Sequence, residues 1–179
     1  MGADLYTDDE FEVKAYESAL RSLSMSASSC GKMRDKLQKR GFSQVIVNSV
    51  LAKLQEQGLL DDEEYAKSIV KHELFVYCRS KKLAGLKLKS LKIDEWIIQD
   101  ALDSVEDTEV FRIHTEFIDC AISRILESLK QRQLDEESRG FELQKEFRKL
   151  LGKAARKGIS HELVNRRWRE LCNLSDWDL

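Results

Sequence analysis

The sequence predicts an all-α protein, and three observations carry that prediction. The 179 residues contain no proline and only eight glycines, whereas a sandwich or barrel needs many Gly and Pro turns. Apolar residues recur at i, i+3, i+4 and i+7 almost throughout, the spacing of one helix face. Glycines and short polar residues stand where these runs stop and start, as helix stops and caps do. A chain of this length buries roughly 70% of its unfolded surface, enough for a core without disulfide staples.

The helices follow in order. Thr7 to Glu10 reads as a capping box, and Tyr16, Ala19, Leu20 and Leu23 form the inner face of a first helix. Ser24–Ser29 is a loop with Ser29 as the next cap. A short second helix carries Met33 and Leu37 inward and stops at Gly41. Ser43 caps a third, with Ile46, Val47, Val50, Leu51 and Leu54 on one stripe and Gly58 at its end. Asp61 and Glu64 open a fourth, on Tyr65, Ala66, Ile69 and Val70. A fifth runs from about Lys81 to Leu91. Asp94 caps a sixth, on Ile97, Ile98, Ala101, Leu102 and Val105. Thr108 starts a long seventh, on Phe111, Ile118, Ala121, Ile122, Ile125, Leu126 and Leu129. A break is expected between about Gln133 and Gly140. Phe147, Leu150, Leu151 and Ala154 make an eighth helix ending at Gly158, and Ser160 caps a ninth on Leu163, Val164, Trp168 and Leu171.

Thirty basic against 32 acidic residues leave a net charge of −2. A free-standing nucleic-acid binder carries a clear basic surplus, so any contact with nucleic acid is local or shared with a partner. Cys30, Cys78, Cys120 and Cys172 are too far apart in sequence for zinc-ligand spacing, and the three histidines are equally scattered. Each thiol reads as part of a helical core. The acidic first twenty residues are the opposite of a signal peptide, and the longest apolar run, Leu74 to Cys78, is too short to span a membrane. A reducing cytoplasm is the expected compartment.

An internal repeat organises the chain. Leu37–Leu54, Leu88–Val105 and Ala154–Leu171 align without gaps. Gly41-Phe42-Ser43 matches Lys92-Ile93-Asp94 and Gly158-Ile159-Ser160; Ile46-Val47 matches Ile97-Ile98 and Leu163-Val164. Each unit reads as a long, a short and a medium helix, with repeats over residues 1–58, 59–106 and 107–179. Such units bury their faces by stacking, so an elongated, curved solenoid of either hand is expected.

Two stretches carry a resemblance. Met33-Arg34-Asp35-Lys36-Leu37-Gln38-Lys39-Arg40-Gly41-Phe42 is similar to the EL-x-x-KL-x-x-(K/R)-G-(F/Y) run of the RecX family. Val50 to Ala66, containing Gly58-Leu59-Leu60-Asp61-Asp62, resembles that family's VL-x-x-L-x-x-x-GLLDD-x-x-(F/Y)A. The likeness is specific over about residues 15–106; beyond, Arg156-Lys157-Gly158-Ile159 carries it. Lys32 stands where the family usually has Glu, and Ser80 and Lys92 stand where its second repeat has a Gly-rich turn and a closing Gly. The resemblance implies a small cytoplasmic bacterial protein of three three-helix repeats. It implies a protein that binds the RecA recombinase filament on single-stranded DNA, blocks its extension and suppresses its ATPase, strand-exchange and coprotease activities.

Charge placement suggests where such a partner is met. Lys36, Lys39 and Arg40 lie on the short helix of repeat one. Lys81, Lys82 and Lys87 lie on that of repeat two, and Arg156 and Lys157, with Arg166 and Arg167 nearby, on repeat three. In stacked repeats these residues are expected to be exposed and to form one stripe, suited to DNA phosphates and acidic protein walls. Asp61-Asp62-Glu63-Glu64 reads as helix-start capping rather than a metal or acid/base cluster. No residue stands in a recognisable nucleophile context and no phosphate loop is present, so no enzyme, metal or cofactor is expected. The partners expected are the RecA filament and, weakly or through it, single-stranded DNA, met by a monomer with no membrane contact. Two other readings stay open: a helical adaptor without recombinase inhibition, and a helix-turn-helix DNA binder reading through Ser160–Trp168.

Overall fold

The computed structural model describes residues 8–132 and 134–172. Among them are nine α-helices, one π-helical turn and no strand. The helices are α1 (Asp8–Met25), α2 (Cys30–Lys39), α3 (Gln44–Glu56), α4 (Asp62–Lys71), α5 (Lys81–Ser90), α6 (Glu95–Asp103), α7 (Asp107–Gln131), α8 (Glu136–Lys157) and α9 (His161–Cys172). The π-turn, His72–Val76, continues α4. No helix among the described residues is long and apolar enough to cross a membrane.

The repeat register has a structural signature at its turns. Gly41, Lys92 and Gly158 all adopt a left-handed backbone, with φ of 88°, 58° and 72°. At each, the same two hydrogen bonds close the preceding helix. Phe42, Ile93 and Ile159 donate to the carbonyls of Leu37, Leu88 and Ala154, while Gly41, Lys92 and Gly158 donate to Gln38, Lys89 and Ala155. This paired pattern satisfies carbonyls that a helix end otherwise leaves open. Ser43 and Ser160 then cap α3 and α9 through side-chain oxygens that accept from Ile46 N–H at 3.4 Å and Leu163 N–H at 3.3 Å. Asp94 sits in the same extended conformation before α6 but its carboxylate makes no capping bond.

Burial follows the register. Leu37, Leu88 and Ala154 are buried, as are Ile46-Val47, Ile97-Ile98 and Leu163-Val164. Removing one such Leu or Ile side chain from water contributes roughly 1.5–3 kcal/mol.

The chain divides into two compact units. The first comprises Met1–Ile69 and Gly85–Ser104, the second Val70–Ala84 and Val105–Leu179. In the first, α1, α2 and α3 enclose Ala15, Ala19, Met33, Leu37, Val47, Val50 and Leu54. In the second, α7, α8 and α9 enclose Ile118, Ile122, Phe147, Leu150, Val164 and Trp168.

Several local expectations are corrected. Gly140 lies inside α8, not in a break: Asp135 accepts the Ser138 N–H at 2.8 Å and starts the helix before the glycine is reached. α7 starts at Asp107, one residue before Thr108, with Glu106 in the cap position, and the Thr108 hydroxyl donates to the Glu106 carboxylate at 3.2 Å. Phe111 is 51% exposed, because Val110, Ile113 and His114 take the buried face of this part of α7. Cys30 and Cys172 pack, half-buried, against the two cores as expected, whereas Cys120 is exposed rather than part of a core. Thr7 of the expected capping box lies outside the described residues.

Candidate partner-binding surface

The candidate basic residues divide into free cations and residues the fold itself uses. Lys39 and Lys82 are exposed, as are Lys87 and Arg156, and none of these four is in an ion pair among the described residues. They fit the expected solvent-facing role.

Others are not free. Lys36 is half-buried and its Nζ donates to the Ser22 hydroxyl at 2.9 Å. Arg40 is exposed, yet its guanidinium donates to the Ser18 hydroxyl and, at 3.1 Å, to the Ser18 carbonyl, bracing α2 against α1. Lys81 is half-buried and pairs with Asp107 at 2.7 Å. Lys157 is half-buried: its Nζ donates to the Tyr77 carbonyl and lies 4.9 Å from the centre of the Phe117 ring. The expectation of full exposure therefore fails for Lys36, Lys81 and Lys157. Long stems let each ammonium cover apolar surface and reach a polar group at its edge.

Arg167 departs furthest. The repeat register sets it at the position of Val50 and Ala101, both buried. Its guanidinium meets Asp119 with two parallel bonds, from Nε and Nη2, each 2.7 Å, and also reaches Glu170. Hydrogen bonding to Asp119 raises its pKa further above the ordinary arginine value. A fork-on-fork pair of this kind ties α9 to α7 and leaves little for an outside phosphate. Arg166 is exposed and lies over the Phe111 ring, 5.6 Å from its centre. Trp168 is fully buried. A DNA reader built on α9 would thus have its central arginine occupied and its tryptophan in the core.

The turns reveal a position that the separate basic clusters obscure. With Leu37, Leu88 and Ala154 equivalent, the preceding residues are Lys36, Lys87 and Lys153, a lysine at the same place in every short-helix segment. Lys87 and Lys153 are exposed. The signal was present in the sequence once the register was fixed.

Acid and thiol groups elsewhere play structural parts. The Cys30 backbone N–H donates to Asp62 at 2.9 Å, and burial pushes the Cys30 thiol up to about 11. Burial also raises Asp62, with Asp94 and Asp61 adding like charge. Among the described residues no group of His, Cys, Asp and Glu is arranged to hold a metal ion.

Comparison with known proteins matches this architecture. The family model described as RecX, first three-helix domain, matches residues 15–54, the segment from the middle of α1 to the last buried leucine of α3. The Regulatory protein RecX of Mycobacterium sp. (strain JLS) is 28% identical over 163 residues, covering 91% of this chain and 84% of that one. The Regulatory protein RecX of Clostridium perfringens (strain SM101 / Type A) is 29% identical over 171 residues, covering 95% and 74%. These relatives are named as regulators, not enzymes. The crystal structure of RecX from Lactobacillus salivarius has the same fold, with a TM-score of 0.65 at 22% identity over 93% of this chain and 99% of that one. Helical repeats, their turns and these relatives agree: along nearly its whole length the chain is similar to proteins of the RecX family.

Proposed function

We propose that this protein binds the RecA recombinase filament on single-stranded DNA and inhibits its extension, ATPase and strand exchange, acting as a cytoplasmic monomer without metal or nucleotide. The observation that carries the reading is the lysine repeated at equivalent positions, Lys36, Lys87 and Lys153, on a chain whose total charge is −2. A protein with no basic surplus gains little from DNA alone, whereas local cations favour a partner that presents phosphates and acidic side chains together. Free cations at Lys39, Lys82 and Arg156 add to the attraction. Such contacts steer association and weaken as salt screens them.

The test is retention on immobilised single-stranded DNA with and without the cognate recombinase. The reading expects retention that requires the recombinase and declines with added salt. Equal retention on bare DNA, or none in either case, would favour a DNA-binding protein or a helical adaptor.

A further inference from the structure

We propose that the groove between α7 and α8 in the second unit docks an acidic, amphipathic segment of the recombinase subunit, an inference that rests on the recombinase being the partner. The floor is apolar: Phe75, Phe117, Ala121, Ile125 and Leu150 line it. Its rims carry charge of both signs, and the pairing among them is uneven. On α7, Arg112 already meets Glu116 at 2.5 Å and Glu109 at 3.6 Å. On α8, Lys149 already meets Glu146 at 2.6 Å. Among the described residues, what remains is one unpaired cation on each side, Arg124 from α7 and Lys153 from α8, both exposed and both lining the groove.

An apolar trough flanked by two unsatisfied cations complements a segment with apolar residues on one face and carboxylates beside them. Nucleic acid fits less well. Its phosphates would meet Glu116 and Glu146 on the same rims. Lys39 and Lys87 belong to the other unit, and of the repeated lysines the groove takes in only Lys153.

Cys120 makes the proposal measurable, because it is exposed and lines this groove. Cys172 packs against the core of the same unit instead, outside the groove lining, and burial pushes its thiol up to about 11. The experiment is alkylation of the full protein by a maleimide, free, with single-stranded DNA, and with the recombinase filament on that DNA, each thiol followed by peptide mass spectrometry. Slower alkylation of Cys120 in the filament-bound state alone, with Cys172 unchanged, supports the proposal. So does a fall in filament affinity on the order of tenfold for Arg124→Glu with Lys153→Glu, provided circular dichroism shows both variants folded. Retention by the filament with Cys120 alkylated at its free rate overturns the groove but leaves the recombinase reading standing. Protection by DNA alone overturns it in favour of nucleic acid. No retention by the filament overturns both.

Discussion

The backbone N–H of Ser80 donates to the carbonyl of Lys157 at 2.8 Å, and this contact has a counterpart one repeat earlier. There the Ser29 hydroxyl donates to the carbonyl of Leu91. In the repeat register Ser29 is equivalent to Ser80, and Leu91 to Lys157. Each joint sets the start of a short helix against the left-handed turn of the next repeat, and each lies inside one compact unit. The backbones come close enough to exclude side chains. A Cβ on Gly31 would lie 2.5 Å from the Lys92 carbonyl oxygen, and one on Gly158 would collide with the Ser80 hydroxyl and lie 2.9 Å from its Cβ.

Gly158→Ala should therefore cost more than Gly41→Ala. Both lose a left-handed glycine, about 1–2 kcal/mol, but Gly41 has open space around it. Gly158 adds overlap with Ser80, roughly another 1–3 kcal/mol. Urea denaturation of both variants checks the order, and adding Ser80→Gly should recover part of the loss in the Gly158 variant only. Equal costs would mean that the joint yields freely.

Arg167→Ala should lower stability by roughly 1–3 kcal/mol, since it strands the Asp119 carboxylate that shares two hydrogen bonds with it. Lys39→Glu, Lys87→Glu and Arg156→Glu should each stay within about 0.5 kcal/mol, as exposed changes do. Filament binding should respond the opposite way, falling for the three reversals and shrinking in effect as salt rises. Chemical denaturation beside a salt series of binding measurements separates the two groups.

His114 links stability to pH. It is 8% exposed, its Nε2 has no hydrogen-bond partner among the described residues, and burial lowers its pKa below the ordinary value. The nearby Lys157 ammonium acts in the same direction, and a bond with the Arg79 backbone opposes them. A depressed pKa means that the unfolded chain takes up the proton first. The contribution of His114 is thus full above the unfolded value, about 6.5, and is lost as pH falls through the folded one. Urea midpoints should drop from pH 7.5 to pH 5.5, and His114→Gln should flatten the drop. A variant with unchanged slope would assign the pH dependence to other groups.

Asp62 runs the other way. Burial raises its pKa, so its favourable contribution is present below the unfolded value and is lost as pH rises through the folded one. Asp62→Asn keeps an oxygen for the Cys30 N–H and removes the charge. At pH 7 it should be neutral or stabilising, and a loss above about 1 kcal/mol would contradict the assignment.

Much of this architecture was legible in the sequence, for local reasons. Gly41, Gly58 and Gly158 mark left-handed turns because few other residues tolerate them, and Ser29, Ser43 and Ser160 cap because a short oxygen side chain reaches the first free amides. Lys92, at 58°, shows that the register can hold a turn without glycine. The π-turn at His72–Val76 left no trace in apolar spacing, and neither did the partners of Arg167 and Lys157, which come from helices distant in sequence. Ion pairs across such distances depend on packing, and a list of basic residues cannot distinguish a free lysine from a brace.

The central claim is inhibition of the recombinase, and its most direct test is the steady-state, DNA-dependent ATPase of the cognate enzyme on single-stranded DNA, titrated with this protein. The account predicts a progressive fall in hydrolysis, with no added metal or nucleotide needed by the inhibitor itself. A rate unchanged at several-fold excess over filament subunits would contradict it.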